Sequence, residues 1–345
     1  MSPRRSAFVV LAALLVAVFL FGRYSPAKSG PLRAVLLDAA HCSRAELAHV
    51  REGGANGVVL VLDSTGEDPL RQAAERIRDL DLELYYWIEI ARDPELAERE
   101  PQLVAGMGAH QNWRAAFPEV PEVGATQRCV AWPWVPIFYA AAFDLQLAKI
   151  EARLEHVPDP DGLFLNDLQA APAACGCGNG LCRWVVDYLC EPRAVLAEAP
   201  IAARFLERVR ARLPGKRVVP VWTGECREHE ETERAACHGV PCYTGRCWPA
   251  LIDELRPVVE QGGSIALQLF GERIPAELLD FPAELMRRQL ELPSERILPI
   301  LRGWDQPEPS AIEAVTRAAN AAGMHEWVLA LIPLEQGFEP RVVSR

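Results

Sequence analysis

The sequence predicts an α/β protein of the (β/α)8 type, a TIM-type barrel in which eight parallel strands are surrounded by helices. Three observations support this fold class. From residue 33 onward, short aliphatic segments alternate with amphipathic helical segments. The strand segments lack a clean polar–apolar alternation, as expected for parallel strands that are covered on both faces. The 345-residue chain has no composition break, so residues 31–345 are predicted to form a single barrel domain.

Eight segments fit strands, in chain order: Ala34–Asp38, Gly57–Asp63, Leu82–Ile90, Gly162–Asp167, Val218–Thr223, Ser264–Phe270, Ile297–Arg302 and Glu326–Pro333. Helices fill the intervals. The first is predicted to begin with a capping box, Ser43-x-x-Glu46, and the second with the cap Asp68 followed by a proline. Further helices are predicted at 138–155, 201–213, 248–260 and 276–290, and after the cap Ser310. Only residues 334–345 follow the eighth strand, which predicts that the last helix is absent or reduced.

The predicted links differ in length at the two ends of the barrel. Links from helix to strand, such as Gln261-Gly-Gly263, are short, whereas βα loops 3, 4 and 5 are long and span residues 91–137, 168–200 and 224–247. Long loops after the strands are typical of a barrel whose site lies at the carboxyl ends of its strands. A doubly wound open sheet is the alternative, but it usually has a glycine-rich loop where this chain reads Asp38-Ala-Ala-His-Cys42.

Residues 1–30 are predicted to be a signal peptide or an N-terminal membrane anchor. The basic start Met1-Ser-Pro-Arg-Arg5 precedes an apolar run from Ala7 to Gly22, and no convincing cleavage site follows. Both alternatives place the barrel outside the cytoplasm, in the periplasm, on the cell surface or secreted, with the membrane as a partner in the anchored form. The net charge of −11, without a basic stripe, argues against nucleic acid as a partner.

Ten cysteines suit an oxidising compartment, and all follow the strands rather than the helices. Structural disulfides that restrict the long loops are the first interpretation. A metal site is the alternative, because thiolates hold zinc or an iron–sulfur cluster and four of the cysteines lie close together in loop 4: Cys175, Cys177, Cys182 and Cys190. No cofactor other than this zinc alternative is predicted.

Carboxylates gather where predicted strands end. Asp167, Glu225 and Asp305 each follow a strand closely, and we predict that they are catalytic. Two neighbouring carboxyl groups can differ in pKa and so supply an acid and a base near neutral pH. Glu89 is a fourth candidate inside Tyr85-Tyr-Trp-Ile-Glu-Ile90, where an unpaired carboxylate is costly to bury. A salt bridge to Arg92 or Arg302 is the equally weighted structural explanation.

Aromatic side chains accompany these acids. Indole rings stack on the apolar faces of sugars, so we predict that tryptophans bind substrate together with an amide and a histidine: Trp132, Trp134, Trp222, Trp304, Asn166 and His110. The alternative is that the tryptophans fill the core beneath the long loops.

The chain resembles uncharacterised, glycoside-hydrolase-like barrels of bacteria. The resemblance rests on Trp87-Ile-Glu-Ile-Ala-Arg92, Trp132-Pro-Trp-Val-Pro136, Asp161-Gly-Leu-Phe-Leu-Asn-Asp167 and the stretch Cys175–Trp184. It implies a carbohydrate substrate and hydrolysis by paired carboxylates. Retaining glycosidases of the broad clan carry glutamates where this chain has Asp167 and Asp305, each one methylene shorter. A barrel that binds glycans without cleaving them, and a metal-binding protein, are therefore the alternative functions.

Overall fold

The computed structural model describes residues 30–62, 66–106, 118–137, 140–166, 168, 201–223, 263–269, 296–303, 312–314, 317, 320, 325–334 and 339–344. Residues Leu32–Arg345 form one compact unit. Within the described ranges, no helix is long and apolar enough to cross a membrane. The predicted signal peptide or anchor lies outside these ranges.

Eight parallel strands close into a barrel, as the sequence predicted. In spatial order they are β1 (Arg33–Leu37), β2 (Gly57–Val61), β3 (Glu83–Glu89), β5 (Gly162–Asn166), β6 (Arg217–Thr223), β7 (Ile265–Leu269), β8 (Ile297–Arg302) and β9 (Trp327–Ala330). Ring closure comes from the parallel pairing of β9 with β1, in which Val35 lies opposite Leu329. All eight predicted strands are therefore confirmed, and the open-sheet alternative is excluded.

Five helices are described: α1 (Arg44–Glu52), α2 (Glu67–Asp79), α3 (Pro94–Arg99), α4 (Ala140–Glu155) and α5 (Ile201–Arg212). The capping box at Ser43 and Glu46 is confirmed, with both reciprocal hydrogen bonds present. The predicted cap of the second helix is wrong, because α2 begins two residues earlier than the sequence indicated. Its N-cap is Gly66, and Asp68 lies in the first turn, where a negative charge favours the helix dipole.

Two strands were not predicted as strands. Within the long loop after β3, β4 (Gln127–Trp132) pairs antiparallel with β10 (Glu339–Ser344) at the end of the chain. The register places Glu339 opposite Trp132 and Ser344 opposite Gln127. The segment after the eighth barrel strand thus ends in a strand that covers the loop, which explains why no full helix pattern was found there.

The barrel interior is a packed core. Alternate residues of the strands point inward, among them Leu36, Val59, Trp87 and Phe164, and all four are fully buried. The rings of Trp87 and Phe164 stack with their centroids 6.4 Å apart and an angle of 14° between planes. A second apolar layer lies between the strands and the helices. Because side chains fill the centre, substrate access is confined to the ends of the barrel.

An ion pair closes the amino-terminal end of the barrel, which we call the base. The guanidinium of Arg217 donates to both carboxylate oxygens of Glu326, at 2.7 and 2.6 Å, and to Oγ of Ser264 at 3.0 Å. The backbone N–H of Leu32 also donates to Glu326, at 3.1 Å. These bonds join residues at the start of four barrel strands and fix the spacing of the ring.

Candidate functional site

Three polar side chains meet at the carboxyl ends of the strands, which we call the mouth. Glu89 ends β3, Asn166 ends β5 and Gln268 lies near the end of β7. Each is two residues beyond an interior residue of its own strand, and a strand repeats its facing every two residues. The three side chains therefore continue the inward face of the barrel and lie above its apolar core. Strand register sets Glu89 directly beside Asn166.

Hydrogen bonds link these side chains into one network. Nε1 of Trp87 donates to Oε1 of Glu89 at 2.7 Å, and Nδ2 of Asn166 donates to Oε2 at 2.8 Å. Nε2 of Gln268 donates to Oδ1 of Asn166 at 2.6 Å. Asn166 and Gln268 are each 1% exposed, whereas Glu89 is partly accessible. The carboxylate is thus held by two neutral donors.

Burial governs the acidity of this carboxyl group. Loss of solvation is the largest effect and raises the pKa of Glu89, while the hydrogen bonds from Trp87 and Asn166 and the charges of Arg92 and Lys149 act in the opposite direction. The net pKa is raised above the ordinary range of a glutamate. The positive charge of Arg92 acts on this carboxyl group, and the side chain of Arg302 lies outside the described residues. The salt-bridge explanation of Glu89 therefore stays a prediction beside the catalytic one.

A partly buried lysine holds the backbone at Glu89. Nζ of Lys149, on α4, donates to the carbonyl oxygens of Glu89 and Ile90 at 2.7 and 3.3 Å and to Oδ2 of Asp93 at 3.0 Å. Asp93 also caps α3 by accepting from the N–H of Leu96. The lysine therefore joins the end of β3 to the start of the following helix and fixes the point from which the Glu89 side chain projects.

The other predicted acids cannot be placed against this network. Asp167, Glu225 and Asp305 lie outside the described residues, as do Trp304 and His110. Trp222 belongs to β6, but its side chain and that of Arg302 are outside the description. Their predicted roles remain predictions. Of the predicted site residues, the structure brings together Glu89 and Asn166.

Trp132 and Trp134, the two predicted substrate-binding tryptophans of the long third loop, are not open platforms in this structure. Trp134 is 2% exposed and packs against Ala91, Ala105 and Cys129. Trp132 is partly buried, and the guanidinium of Arg341, on β10, lies 3.4 Å from its ring centroid. For Trp134 the structure favours the alternative given above, a side chain that fills the core beneath a long loop.

Two cysteines fall within the described residues. Cys42 is a buried thiol whose Sγ donates to the carbonyl oxygen of Asp38 at 3.1 Å, so it gives no support to the disulfide interpretation. Cys129 is buried in β4, a strand rather than a loop. Cys175, Cys177, Cys182 and Cys190 lie outside the described residues, within which no cluster of three or more potential metal ligands occurs. Zinc and disulfides in loop 4 remain predictions.

Two members of the network carried only weak sequence signals. Gln268 was visible as an amide inside an apolar strand, Ile265-Ala-Leu-Gln-Leu269, where a polar side chain needs a buried partner. Lys149 lies on a helix with an ordinary charge pattern, and nothing in its spacing indicates that its ammonium group contacts the backbone of β3. A lysine that reaches two backbone carbonyls can be recognised only from the packed structure.

Comparisons with known proteins concern the fold. No family model matches the chain, and no curated protein matches it. The structure is similar to α-L-fucosidase isoenzyme 2 from Paenibacillus thiaminolyticus (15% identity, TM-score 0.47, 85% of this chain and 49% of that chain). It is also similar to a β-galactosidase from the haloarchaeon Halorubrum lacusprofundi (15%, 0.47, 90% and 54%). A third is the carboxyl transferase domain of Rhizobium etli pyruvate carboxylase (10%, 0.42, 88% and 40%).

This chain spans about half the length of these proteins or less. Glycoside hydrolases and a carboxyl transferase domain are thus both among the solved structures similar to this chain.

Proposed function

We propose that this chain is an extracytoplasmic, glycoside-hydrolase-like barrel protein that cleaves a glycan, with Glu89 as the general acid. The observation that carries the proposal is the carboxyl group of Glu89 at the mouth, held by Trp87 and Asn166, with its pKa raised by burial. A group that protonates a leaving oxygen must hold its proton near neutral pH. A glutamate with an ordinary pKa would have lost that proton.

Glycoside hydrolysis also needs a second carboxylate. It lies about 5–5.5 Å from the first in retaining enzymes and about 6.5–9.5 Å away in inverting ones. Asp167, Glu225 and Asp305 are the candidates, since each follows a barrel strand closely in the sequence. Asp167 directly follows Asn166, the residue that hydrogen-bonds Glu89, so it is the first candidate that we would test. The glycan substrate is inferred from the motif resemblance, and the location from the apolar run at residues 7–22 and the ten cysteines.

Binding without cleavage is the second candidate function. It is favoured by the fact that both carboxylate oxygens of Glu89 accept hydrogen bonds from within the barrel, as they would in a purely structural network. The two functions predict different effects when the carboxyl group of Glu89 is replaced by an amide, which cannot supply an acidic proton. An acid catalyst fails when its carboxyl group becomes an amide, whereas a binding surface keeps its shape.

The test is a hydrolysis and binding screen of the full-length protein on a panel of glycans, with Glu89→Gln as the main variant. We expect a loss of about 10²–10⁴-fold in kcat with binding retained. Glu83→Gln is the matched control, because Glu83 is a buried glutamate at the other end of the same strand, bonded to the hydroxyl of Tyr85 at 2.8 Å. It is expected to keep its activity.

Asp167→Asn, Glu225→Gln and Asp305→Asn then identify the second carboxylate. Hydrolysis unchanged in Glu89→Gln would refute the assignment of the acid. Glycan binding without hydrolysis in the native chain would support the second candidate function instead.

A further inference from the structure

A one-way series of side-chain hydrogen bonds crosses the mouth from β7 to β3. Gln268 donates to Asn166, and Asn166 donates to Glu89, over distances of 2.6 and 2.8 Å. Both oxygens of Glu89 accept hydrogen bonds in this structure, and they can do so in the ionised form and also in a protonated form whose proton points away from Trp87 and Asn166. Asn166 therefore turns its NH2 group toward Glu89 and its carbonyl oxygen toward Gln268, which presents its own NH2 group. The direction of both bonds follows from the carboxyl group acting as the acceptor at one end.

Burial makes the direction matter. Asn166 and Gln268 are almost completely removed from solvent, so water cannot replace a lost partner. If the amide of Asn166 rotated by half a turn, its oxygen would face the carboxylate oxygen of Glu89 and its NH2 group would face the NH2 group of Gln268. Two pairs of like atoms would then stand at hydrogen-bond distance in a dry site, which is strongly unfavourable.

From this geometry we propose that Gln268 is a positioning residue, which fixes the amide of Asn166 and through it the Glu89 carboxyl group. The inference rests on the proposed function, because it assigns Gln268 a part in the reaction attributed to Glu89. Gln268 need not touch the substrate. Its contribution is to keep the NH2 group of Asn166 aimed at Oε2 of Glu89, so that the carboxyl group keeps one orientation at the mouth.

Three charged groups among the described residues bear on Glu89. Arg92, in the loop after β3, and Lys149, on α4, both lower the pKa of the carboxyl group, and Asp93 pairs with the lysine. The uncharged substitution Gln268→Met leaves these three groups in place and adds no charge. A change in the titration of Glu89 in that variant is therefore attributable to the amide pair.

The main experiment measures the titration of Glu89 in the full-length protein by ¹³C NMR of its side-chain carboxyl, with the resonance assigned by its loss in Glu89→Gln. Gln268→Met keeps the size of the side chain and removes the donor. The carboxylate then loses a well-held hydrogen bond, and a bond that favours the charged form lowers a pKa. We expect the titration midpoint to rise by about one pH unit.

Gln268→Glu is nearly isosteric and places an acceptor where the donor was. It favours the rotated Asn166 and adds a second carboxyl group, and both effects raise the pKa of Glu89, so we expect the midpoint to rise further than in Gln268→Met. The matched control is Gln146→Met, which removes a buried glutamine on α4 whose Nε2 donates to the carbonyl of Val135 at 3.4 Å. That control is expected to leave the Glu89 midpoint unchanged. If the chain hydrolyses a glycan, the falling limb of its kcat–pH profile should move in parallel with the NMR midpoint.

The native chain supplies a measurement that does not depend on whether a variant folds. The side-chain NH2 resonances of Asn166 and Gln268 should both titrate with the midpoint of Glu89. Amide signals that ignore this titration, or a Gln268→Met midpoint equal to that of the control, would overturn the positioning role. If the midpoints move as expected but no glycan is cleaved, the proposed function fails and the positioning role stands.

Discussion

Replacing Glu326 by glutamine removes the negative charge that Arg217 contacts at the base of the barrel, while it keeps the shape of the side chain. The side chains of Arg217 and Glu326 are 29% and 17% exposed, so neither the surface nor the fully buried limit applies. Breaking a buried pair costs about 3–5 kcal/mol, and an exposed pair contributes about 0–1 kcal/mol. The intermediate exposure indicates a loss of about 2.5 kcal/mol. With an unfolding entropy of roughly 2.1 cal/mol/K per residue over about 300 residues, Tm should fall by about 4 °C.

The stabilisation that Glu326 contributes should depend on pH, and the direction of this dependence follows from the pKa of its carboxyl group. Burial acts to raise the pKa of Glu326, but the hydrogen bonds and charge of Arg217 outweigh it and hold the pKa below the ordinary range. A carboxyl group whose pKa is depressed by folding stabilises the fold above its unfolded pKa, and this contribution is lost as pH falls through the folded pKa. The difference in Tm between the native chain and Glu326→Gln should therefore be full at pH 7 and shrink in acid.

The assay is thermal and urea denaturation followed by circular dichroism, at pH 7 and again at an acid pH. Asp159→Asn is the control, because Asp159 pairs with Lys216 at 2.6 Å and is 76% exposed. That variant should lose about 0.5 kcal/mol or less. If Glu326→Gln has the same Tm as the Asp159→Asn control, the ion pair of Arg217 and Glu326 does not stabilise the barrel and the reasoning from exposure is wrong.

Three further predictions test other parts of the barrel. Gly162→Ala should lower the free energy of unfolding by about 3 kcal/mol or prevent folding, because a Cβ at that position would overlap the carbonyl oxygen of Arg217. Urea denaturation measures this loss. A loss below about 1 kcal/mol would contradict the close approach of the two strands. Burial raises the pKa of the Cys42 thiol to about 12 from 9.0. Iodoacetamide should therefore modify Cys42 about 10³-fold more slowly in the native protein than in urea, as measured by peptide mass spectrometry. Equal rates would show that the thiol is accessible. Arg341→Ala removes the cation stacked on Trp132 and should lower the free energy of unfolding by about 0.5–2 kcal/mol. Backbone hydrogen exchange should become faster in β4 and β10 alone. Unchanged exchange would show that the stacking does not stabilise this strand pair.

The barrel strands could be predicted because each carries its own signal. A run such as Gly57-Val-Val-Leu-Val61 is apolar on both faces, and only a parallel strand covered by helices and an interior accommodates that pattern. The antiparallel pair of β4 and β10 carries no such signal. Glu339-Pro-Arg-Val-Val-Ser344 has one proline, two charges and a short apolar pair. This segment becomes a strand because it pairs antiparallel with β4, which lies more than 200 residues earlier in the chain.

The site was only partly predictable, and Glu89 shows why. From sequence, a glutamate inside an apolar strand requires a buried partner, and the nearby arginines were the natural choice. The hydrogen bond to Asn166 follows instead from barrel topology: β4 is not part of the ring, so β3 pairs with β5 and Glu89, at the end of one strand, meets Asn166 at the end of the next. The balance of effects decides the chemistry. Burial outweighs both the hydrogen bonds from Trp87 and Asn166 and the charges of Arg92 and Lys149, so the pKa of Glu89 is raised.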